Sequence, residues 1–445
     1  MYDAIFLGGG AGGYVGAVTS ASMGLRVAVV ERSGVGGMCV NYGCIPTDSA
    51  LWVASLQEYG RLLGMPAGEV NLGWKLDRAK GVARKVGELA TEMLEVLGVD
   101  LVTGEGSLVD HGVKVAGKII ESKAVVLATG ARYDLSRVSR AAEGSVITAR
   151  EFWDISEVPK GVTLIQGGFP SIRGIELAEL LALSGSDVEV IDENAELFPQ
   201  FDADLMKVLR EDLEKRGLRF HMGVKDVSVE NNVVNFLESG ERRKVEFDKL
   251  IPSYAWLPNT EGLGLNALGV QMKDGFVVVD ESCRTNLPWL YGVGEVTSAK
   301  GATKAMYMGK VAAFNISGHP LKVNQSLLPS GIFTIPQFAY VGMSEELARR
   351  NFGDPVIGMS EVRYNEKAIA IGAEEGLVKL VFSPDGRFLG GGMVSYDAEE
   401  IISILSLALR LGAKAEDLAL SGYEHASLAE SVQAAASSAL SRLSS

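Results

Sequence analysis

The chain has 445 residues, 47% of them hydrophobic, and a formal net charge of −14 at pH 7. This length exceeds what one hydrophobic core usually organises, so we expect roughly two to four domains. The acidic balance argues against nucleic acid as a partner. No apolar run reaches the roughly 20 residues that a membrane-spanning helix needs, and no secretory signal is visible. We therefore expect a cytoplasmic protein without a transmembrane segment.

The first part of the chain has the order of a βαβ unit. Apolar segments predict strands over residues 2–7 and 27–30, and helical spacing predicts a helix over residues 14–23. A glycine-rich turn, residues 8–13, joins the first strand to the helix. This order is typical of a dinucleotide-binding unit.

The glycine turn has the G-x-G-x-x-G spacing that accommodates a pyrophosphate. Gly8 permits the tight turn, Gly10 lets the backbone approach the phosphates, and Gly13 allows close helix packing. Glu31 ends the second strand, where a carboxylate accepts hydrogen bonds from an adenosine ribose. The alternative is a glycine-rich turn without a ligand, which this context of strand, turn, helix, strand and acid disfavours.

The rest of the chain alternates between helical and strand patterns. Residues 51–96 predict helices, and residues 100–127 predict short strands. A second βαβ unit, predicted over residues 162–192, ends on Asp192 and resembles a duplication of the first. Further strands are predicted over residues 275–280 and 377–382, and further helices over residues 398–411 and 428–443.

Three cysteines occur, Cys39, Cys44 and Cys283, which are too few for a disulfide-stapled secreted fold. Two cysteines at the spacing of Cys39 and Cys44 are able to close a small disulfide and to pass two electrons as a dithiol. The alternatives are a structural disulfide and half of a metal site. A metal site would need further cysteine or histidine ligands at suitable spacing, so we expect no metal.

Two motifs, residues 8–15 and 36–46, resemble the pyridine nucleotide-disulfide oxidoreductases and, within that family, the dihydrolipoamide dehydrogenases. Similar segments extend the resemblance over essentially the whole chain, at residues 128–130, 258–264, 291–295 and 425–430. The resemblance implies an α/β fold with two Rossmann-like dinucleotide-binding domains and a C-terminal α+β dimer-interface domain. It also implies a homodimer.

The resemblance implies four parts in chain order. They are the first part of an FAD-binding domain at residues 1–145, an NAD-binding-like domain at 146–266, a central segment completing the FAD site at 267–328, and a dimerisation domain at 329–445.

The same resemblance assigns Cys39 as the thiol that exchanges with substrate and Cys44 as the thiol facing the flavin. His425 matches the catalytic base, oriented by Glu430, and both come from the partner subunit in this family. The chemistry agrees, because a thiolate is the competent nucleophile and an imidazole is able to take its proton. We expect a small dithiol or lipoyl-type substrate.

FAD is the expected cofactor. Met38 replaces a phosphate-binding threonine of the family, and Glu295 replaces the usual aspartate while keeping an acceptor for ribityl or ribose hydroxyls. The predicted cofactor-binding residues are Gly8, Gly10, Gly13, Glu31, Gly37, Met38, Thr129, Gly130, Gly294 and Glu295.

The second glycine turn departs from the family pattern. Residues 165–176 make a turn about two residues longer than the usual one, and neither register puts a glycine where the backbone meets pyrophosphate. Phe169 takes a glycine position in both registers, and Pro170 lacks an N–H donor. Asp192 keeps the ability to hold a ribose. The turn therefore puts the use of NAD in doubt.

Further departures fall on the same nicotinamide side. Asp48 stands where the family has a lysine that pairs with a glutamate beside the flavin N5, a glutamate matched here by Glu176. The local charge reverses, and Arg173 in the altered turn is able to compensate by pairing with Asp48. Trp256 replaces an arginine of the family, or else simply packs a core.

The favoured hypothesis is an FAD-dependent oxidation of a small dithiol whose electrons pass to an acceptor other than a nicotinamide, such as a quinone or a protein. The alternatives are an ordinary NAD-dependent dihydrolipoamide dehydrogenase and a flavin-binding scaffold without turnover. Mercuric reductase chemistry is disfavoured because no cysteine follows Cys283.

Overall fold

The computed structural model describes residues 1–65, 70–168 and 171–443. The chain divides into two compact units. The first unit comprises Met1–Pro46, Asp77–Asp134 and Trp256–Gln325. The second unit comprises Thr47–Leu76, Leu135–Ala255 and Ser326–Ser445.

The helices of the described residues are α1 (Ala11–Ser22), α2 (Gly37–Asn41), α3 (Cys44–Leu62), α4 (Leu72–Val96), α5 (Ile172–Ala182), α6 (Ala203–Lys215), α7 (Ala302–Ile316), α8 (Glu345–Phe352), α9 (Glu366–Ile371), α10 (Ala398–Leu411), α11 (Ala415–Leu420) and α12 (Glu430–Leu443). None of them is both long and apolar enough to cross a membrane.

The strands are β1 (Tyr2–Leu7), β2 (Val27–Glu31), β3 (Asp100–Thr103), β4 (Gly106–Val109), β5 (Gly112–Val115), β6 (Lys118–Leu127), β7 (Ala131–Tyr133), β8 (Gly161–Gln166), β9 (Asp187–Asp192), β10 (Leu218–Met222), β11 (Lys225–Glu230), β12 (Val233–Glu238), β13 (Glu241–Glu246), β14 (Lys249–Ser253), β15 (Trp256–Pro258), β16 (Met272–Lys273), β17 (Phe276–Val277), β18 (Leu290–Gly292), β19 (Ser330–Ile332), β20 (Gln337–Gly342), β21 (Val356–Glu361), β22 (Leu377–Phe382) and β23 (Phe388–Ser395).

The first unit is built on a sheet with the strand order β3-β2-β1-β6-β5-β4, in which β18 also pairs with β6. The strands β3, β2, β1, β6 and β18 run parallel. Parallel strands are covered on both faces and read as continuous apolar runs, as residues 4–7 do in β1. Gly309 allows helices α1 and α7 to pack closely, since a Cβ at this position would lie 2.2 Å from the Gly12 carbonyl oxygen.

The second unit contains a parallel sheet with the order β10-β9-β8-β14 and an antiparallel sheet with the order β19-β20-β23-β22-β21. The parallel sheet is crossed by α5, which contacts β8, β9 and β14. Helices α10 and α12 pack against the antiparallel sheet and bury its large apolar side chains. The second unit thus combines a βαβ part with a C-terminal α+β part.

The structure confirms the first βαβ unit, with α1 beginning three residues earlier than the predicted helix. The helical segment predicted over residues 51–96 is divided between α3 and α4. The strand predicted over residues 275–280 is too long, because only Phe276 and Val277 pair in β17. The Asp280 carboxylate accepts the N–H groups of Ser282 and Arg284 instead, which starts a turn.

Candidate active site

The first glycine turn has two positions that the fold needs and one that it leaves open. A Cβ at Gly8 would lie 2.4 Å from the Ala128 carbonyl oxygen, and one at Gly13 would lie 1.9 Å from the Gly8 carbonyl oxygen. At Gly10 the nearest heavy atom would be the Gly37 Cα, at 3.8 Å. Gly10 therefore keeps open space beside the backbone, as an approaching ligand requires.

The N-terminus of α1 suits an anion. Gly10 is the N-cap of α1 and supplies no capping side chain, so the first N–H groups of the helix stay available to a phosphate. Glu31 is held beside this turn, since its Oε2 accepts the Gly9 N–H at 2.7 Å and its Oε1 accepts the Ser33 N–H at 2.8 Å. A carboxylate has further acceptor positions, which fit ribose hydroxyls.

A second loop lies directly against the glycine turn. The Gly36 N–H donates to the Gly9 carbonyl at 2.8 Å, and a Cβ at Gly37 would lie 2.7 Å from the Gly10 Cα. Helix α2 starts at Gly37, so Met38 and Cys39 follow in its first turn. The backbone contact between the two glycine loops thereby positions the cysteine segment next to the dinucleotide turn.

The two cysteines lie in neighbouring helices of one folded-back segment. Cys39 is in α2, and Cys44 is the first residue of α3. Gly43 permits this fold, because a Cβ there would lie 3.0 Å from the Met38 carbonyl oxygen and 3.4 Å from the Cys39 Cα. The N-terminal position of Cys44 in its helix favours a thiolate, since helix N-termini stabilise negative charge.

The other predicted FAD residues belong to the same unit. The Thr129 hydroxyl donates to the Asn259 carbonyl at 2.8 Å, and the Asn259 side chain donates to the Thr129 carbonyl at 2.8 Å. The Asn259 N–H also donates to the Gly130 carbonyl at 2.9 Å. Sequence reasoning missed Asn259, although its motif was noted. Thr129 and Gly130 thus hold the loop that Asn259 carries.

Gly294 and Glu295 lie in a short 3-10 helix of the first unit. Gly294 has a φ of +71°, and the Glu295 carboxylate accepts the Gly301 N–H at 3.4 Å. All ten residues predicted to bind FAD are therefore in one unit, and the open Gly10 position and uncapped α1 N-terminus fit a bound dinucleotide.

His425 and Glu430 lie in the second unit, at the start of α12. Glu430 Oε1 is 3.4 Å from His425 Nδ1, and its Oε2 accepts the Ser427 N–H at 3.1 Å. The hydrogen bond from Ser427 holds the pKa of Glu430 below its usual value. The imidazole is 78% exposed. A carboxylate at Nδ1 orients the ring.

Sequence reasoning missed two residues that organise this histidine. The Asn365 side chain donates to the Ser427 carbonyl at 2.9 Å, which fixes the loop that carries His425. Glu366 Oε2 lies 3.6 Å from His425 Nε2 and places a second carboxylate beside the ring. These contacts join residues about sixty positions apart, which no local pattern reveals.

The second glycine turn has a carboxylate of the chain against its backbone. A Cβ at Gly167 would lie 2.4 Å from Glu193 Oε2. Arg137 holds this carboxylate with two hydrogen bonds of 2.7 and 3.0 Å. Phe169 and Pro170, which the sequence singles out, lie outside the described residues. Gly167, which follows β8 as Gly8 follows β1, is therefore crowded by a negatively charged side chain.

The N-terminus of α5 and the acid at the end of β9 are engaged within the chain. The Ser171 hydroxyl caps α5 by accepting the Arg173 N–H at 3.3 Å. Asp192 is fully buried, and its Oδ1 accepts both the backbone and side-chain N–H groups of Asn194. Burial raises the pKa of Asp192 to about 6. In contrast, Glu31 of the first unit is only partly buried.

Arg173 lies between two carboxyl groups of the second unit. It forms an ion pair with Glu176, whose side chain is completely buried. Burial raises the pKa of the Asp48 carboxyl, and Arg173 lowers it while Glu400 raises it. Arg173 therefore has an electrostatic effect on Asp48 while it forms its ion pair with Glu176.

Trp256 lies in β15 and stacks on Tyr133, with the ring centroids 4.3 Å apart. The two residues are direct partners across the β7–β15 pair. This contact favours the interpretation that Trp256 packs locally within the first unit.

Known proteins resemble the chain along its whole length. The family model "Pyridine nucleotide-disulphide oxidoreductase" matches residues 2–309, and the model for its dimerisation domain matches residues 328–436. The dihydrolipoyl dehydrogenase of Chlorobaculum tepidum is 31% identical over 459 aligned residues, which cover 99% of this chain and 97% of that protein.

Two solved structures share the fold. The HOCl-induced flavoprotein disulfide reductase RclA from Escherichia coli has a TM-score of 0.84 at 23% identity, covering 98% of this chain and 99% of that one. LpdA from Mycobacterium tuberculosis has a TM-score of 0.85 at 25% identity, with the same coverage. Since the family models span most of the sequence, the chain belongs to the pyridine nucleotide-disulphide oxidoreductases and is a flavoprotein disulfide oxidoreductase of the dihydrolipoyl dehydrogenase type.

Proposed function

We propose that the protein oxidises a small dithiol of the lipoyl type through Cys39, Cys44 and FAD, and passes the electrons to an acceptor other than a nicotinamide dinucleotide. The observation that carries the acceptor half is the contrast between the two glycine turns. The N-terminus of α1 at Gly10 has no capping side chain, whereas the Ser171 hydroxyl caps the N-terminus of α5 and the Glu193 carboxylate lies against Gly167.

In the thiol half, a substrate thiolate attacks the Cys39–Cys44 disulfide at Cys39 and releases Cys44 as a thiolate. The second substrate thiol then displaces Cys39, so the substrate leaves as a disulfide and both cysteines are reduced. His425 takes the substrate proton, since Glu430 orients its ring. The flavin, when bound, accepts the two electrons of the dithiol.

We further propose that the working form is a homodimer in which His425 of one subunit serves the cysteines of the other. The match of residues 328–436 to a dimerisation domain supports the dimer. His425 is mostly exposed in the single chain, which leaves its ring accessible to a second subunit.

Charge supports an acceptor other than NAD. A pyrophosphate carries negative charge, and the Glu193 carboxylate beside the second turn would repel it. Moving Glu193 away would leave Arg137 without this carboxylate. Ser171 already uses the N-terminus of α5, and Asp192 is buried where a ribose-binding acid must be reachable. We therefore expect the first glycine turn to bind a phosphate better than the second glycine turn does.

A second candidate function is the NAD-dependent oxidation of dihydrolipoamide. The 31% identity to a dihydrolipoyl dehydrogenase over nearly the whole chain favours it. It requires that Glu193 and Arg137 rearrange when the nucleotide binds.

The proposed oxidation of the dithiol by Cys39, Cys44 and FAD is tested by anaerobic titration of the purified flavoprotein with dihydrolipoamide. We expect a long-wavelength charge-transfer absorption in the wild type and its loss in Cys44→Ser. Cys283→Ser is the matched control, because Cys283 is fully buried and burial raises the pKa of its thiol to about 12. A Cys44→Ser variant with the wild-type spectrum and rate would remove the redox role of this cysteine.

A further inference from the structure

We propose that Glu179 holds a proton in the resting protein and that its affinity for this proton follows the charge on the neighbouring Arg173–Glu176 ion pair. Glu179 thereby becomes a proton-storing group of the second unit, distinct from the cysteines and from His425.

The surroundings of Glu179 do not compensate a negative charge. Its side chain lies on α5 and is fully buried. Its carboxyl oxygens accept one backbone N–H, that of Ile335, at 3.1 and 3.3 Å. Among the described residues it forms no ion pair. One neutral hydrogen bond does not replace the hydration of a carboxylate, so burial favours the protonated acid.

The nearby cation is already used by another acid. Arg216 forms an ion pair with Asp212, whose side chain is also buried. Two buried carboxyl groups thus share the field of one guanidinium, and only Asp212 pairs with it directly. Burial raises the pKa of Glu179 to about 8, whereas the pKa of Asp212 rises only to about 6. The proton is therefore held more tightly by Glu179.

Further titratable groups act on this cluster from neighbouring elements of the second unit. Helix α3 contributes Glu58 and Tyr59, the end of α6 contributes Lys215, and Glu375 precedes β22. The acids among them oppose ionisation of Asp212, and Lys215 lies 3.9 Å from Asp212. These groups act on Asp212, while Asp212 and Glu176 oppose ionisation of Glu179 itself.

Glu179 is coupled to the Arg173–Glu176 pair through α5 and through one stretch of backbone. Glu176 is one helical turn earlier on α5 and faces the same segment. Its carboxylate accepts the Phe333 N–H at 2.9 Å, two residues before the Ile335 N–H that Glu179 accepts. The charge on Glu176 opposes ionisation of Glu179. A change of charge at this pair therefore changes the proton affinity of Glu179.

The reaction proposed above gives this proton a use, and this part of the inference rests on that proposed function. Oxidation of one dithiol to a disulfide releases two electrons and two protons. Reduction of NAD+ takes two electrons and one proton, whereas reduction of a quinone takes two electrons and two protons. A buried group that stores and releases a proton suits an acceptor of the second kind.

Infrared difference spectroscopy of the purified holoprotein between roughly pH 7 and pH 9.5 tests the proton itself, because protonated carboxylic acids have a carbonyl stretch that carboxylates lack. We expect a band that disappears through about pH 8 in the wild type and is missing in Glu179→Gln. Glu374→Gln, at an exposed neighbour of Glu375, should keep the band. If Glu179→Gln folds poorly, Glu179→Asp should shift the band rather than remove it.

The coupling between Glu179 and the Arg173–Glu176 ion pair is tested with variants that change the charge of the ion pair. Glu176→Gln removes a negative charge from the pair, so the band should titrate roughly one pH unit lower or more. Arg173→Met should move the titration to higher pH. A band that persists in Glu179→Gln, or that is missing from the wild type near neutral pH, would overturn the stored proton. Unchanged titration in both charge variants would overturn the coupling. Neither result depends on which acceptor the enzyme uses.

Discussion

The individual glycines of the first turn serve two separate purposes. Gly13 is required by the fold, because any Cβ there would clash with the Gly8 carbonyl. Gly10 is compatible with a Cβ in the protein alone, since its nearest neighbour would be 3.8 Å away. The open side of Gly10 is where a pyrophosphate would approach.

We predict that Gly10→Ala folds normally but retains much less flavin than the wild type. The added methyl group fits the protein and intrudes only on a bound cofactor. The measurements are the ratio of flavin to protein absorbance and the thermal unfolding midpoint of the apoprotein. Gly81→Ala is the control: a Cβ there meets nothing within 4 Å, and the change should stabilise α4 by about 0.5–1 kcal/mol. Wild-type flavin content in Gly10→Ala would refute this interpretation of the turn.

Sequence predicts residues of this kind only where the contacts are local. The spacing of Gly8, Gly10 and Gly13 identifies the turn because all three act within six residues. The side chain that lies against Gly167 is Glu193, and Arg137 holds it in place. Arg137 is 56 residues away from Glu193 in the sequence. Such a contact exists only once the second unit has folded, so no spacing rule reveals it.

Among the secondary-structure elements, helix α5 is unusual because it buries several charged side chains. Its first two turns bury Arg173, Glu176 and Glu179, although charged side chains are rarely buried unless they are paired. Arg173 and Glu176 satisfy this rule as an ion pair. Glu179 satisfies it by keeping its proton.

We predict that the stability of the protein falls as the pH rises from about 5 to about 8, partly because of Glu179. A glutamate in the unfolded chain loses its proton near pH 4.5, whereas burial raises the pKa of Glu179 in the folded state to about 8. The folded state thus binds one more proton in this range, and stability is lost as the pH rises. Two pH units correspond to a loss on the order of 2 kcal/mol.

Thermal unfolding midpoints measured between about pH 6 and about pH 8 check this prediction. Glu179→Gln should lose a clear part of the slope, whereas Glu374→Gln should keep all of it. Identical slopes in the wild type and Glu179→Gln would mean that Glu179 ionises normally. Asp192 adds to the slope below about pH 6, because its pKa is raised in the same direction.

Elements with a strong pattern were predictable. The predicted strand over residues 377–382 and helix over 398–411 agree with β22 and α10 residue for residue. The strand predicted over 275–280 was too long, since apolar β-branched residues do not reveal that Asp280 forms a turn. Periodicity also did not show where the segment 51–96 divides between α3 and α4.

At the scale of the whole molecule, the motifs were sufficient to predict the α/β class and the family. The motifs did not predict that Glu193 lies against the second turn. The glycine pattern is lost there, and the Arg137 that holds Glu193 is distant in the sequence. The proposed roles of Cys39 and His425 depend on a dimer, and the C-terminal match to a dimerisation domain supports one.

We predict that two inactive variants restore activity when their subunits are mixed. Cys39→Ser should abolish dithiol oxidation, and His425→Asn should slow it by about 10²–10⁴ through loss of the proton acceptor. Random reassembly of equal amounts should recover about a quarter of the wild-type activity, since half of the two-fold dimers contain one intact site of two.

His319→Asn is the control for the histidine variant, because His319 is an exposed histidine of the first unit. It should have wild-type activity without mixing. If the mixture stays as inactive as its parents after subunit exchange has been verified, the cysteines and the histidine act within one subunit.

The most direct test of the account follows the electrons out of the reduced protein. The flavoprotein is reduced anaerobically with one equivalent of dihydrolipoamide and then mixed rapidly with NAD+ or with a soluble quinone, and the oxidised flavin absorbance is recorded. We predict rapid recovery of the absorbance with the quinone and none with NAD+, because Glu193 and Ser171 engage the second turn. Rapid recovery with NAD+ would contradict the proposed acceptor and identify a nicotinamide-dependent enzyme.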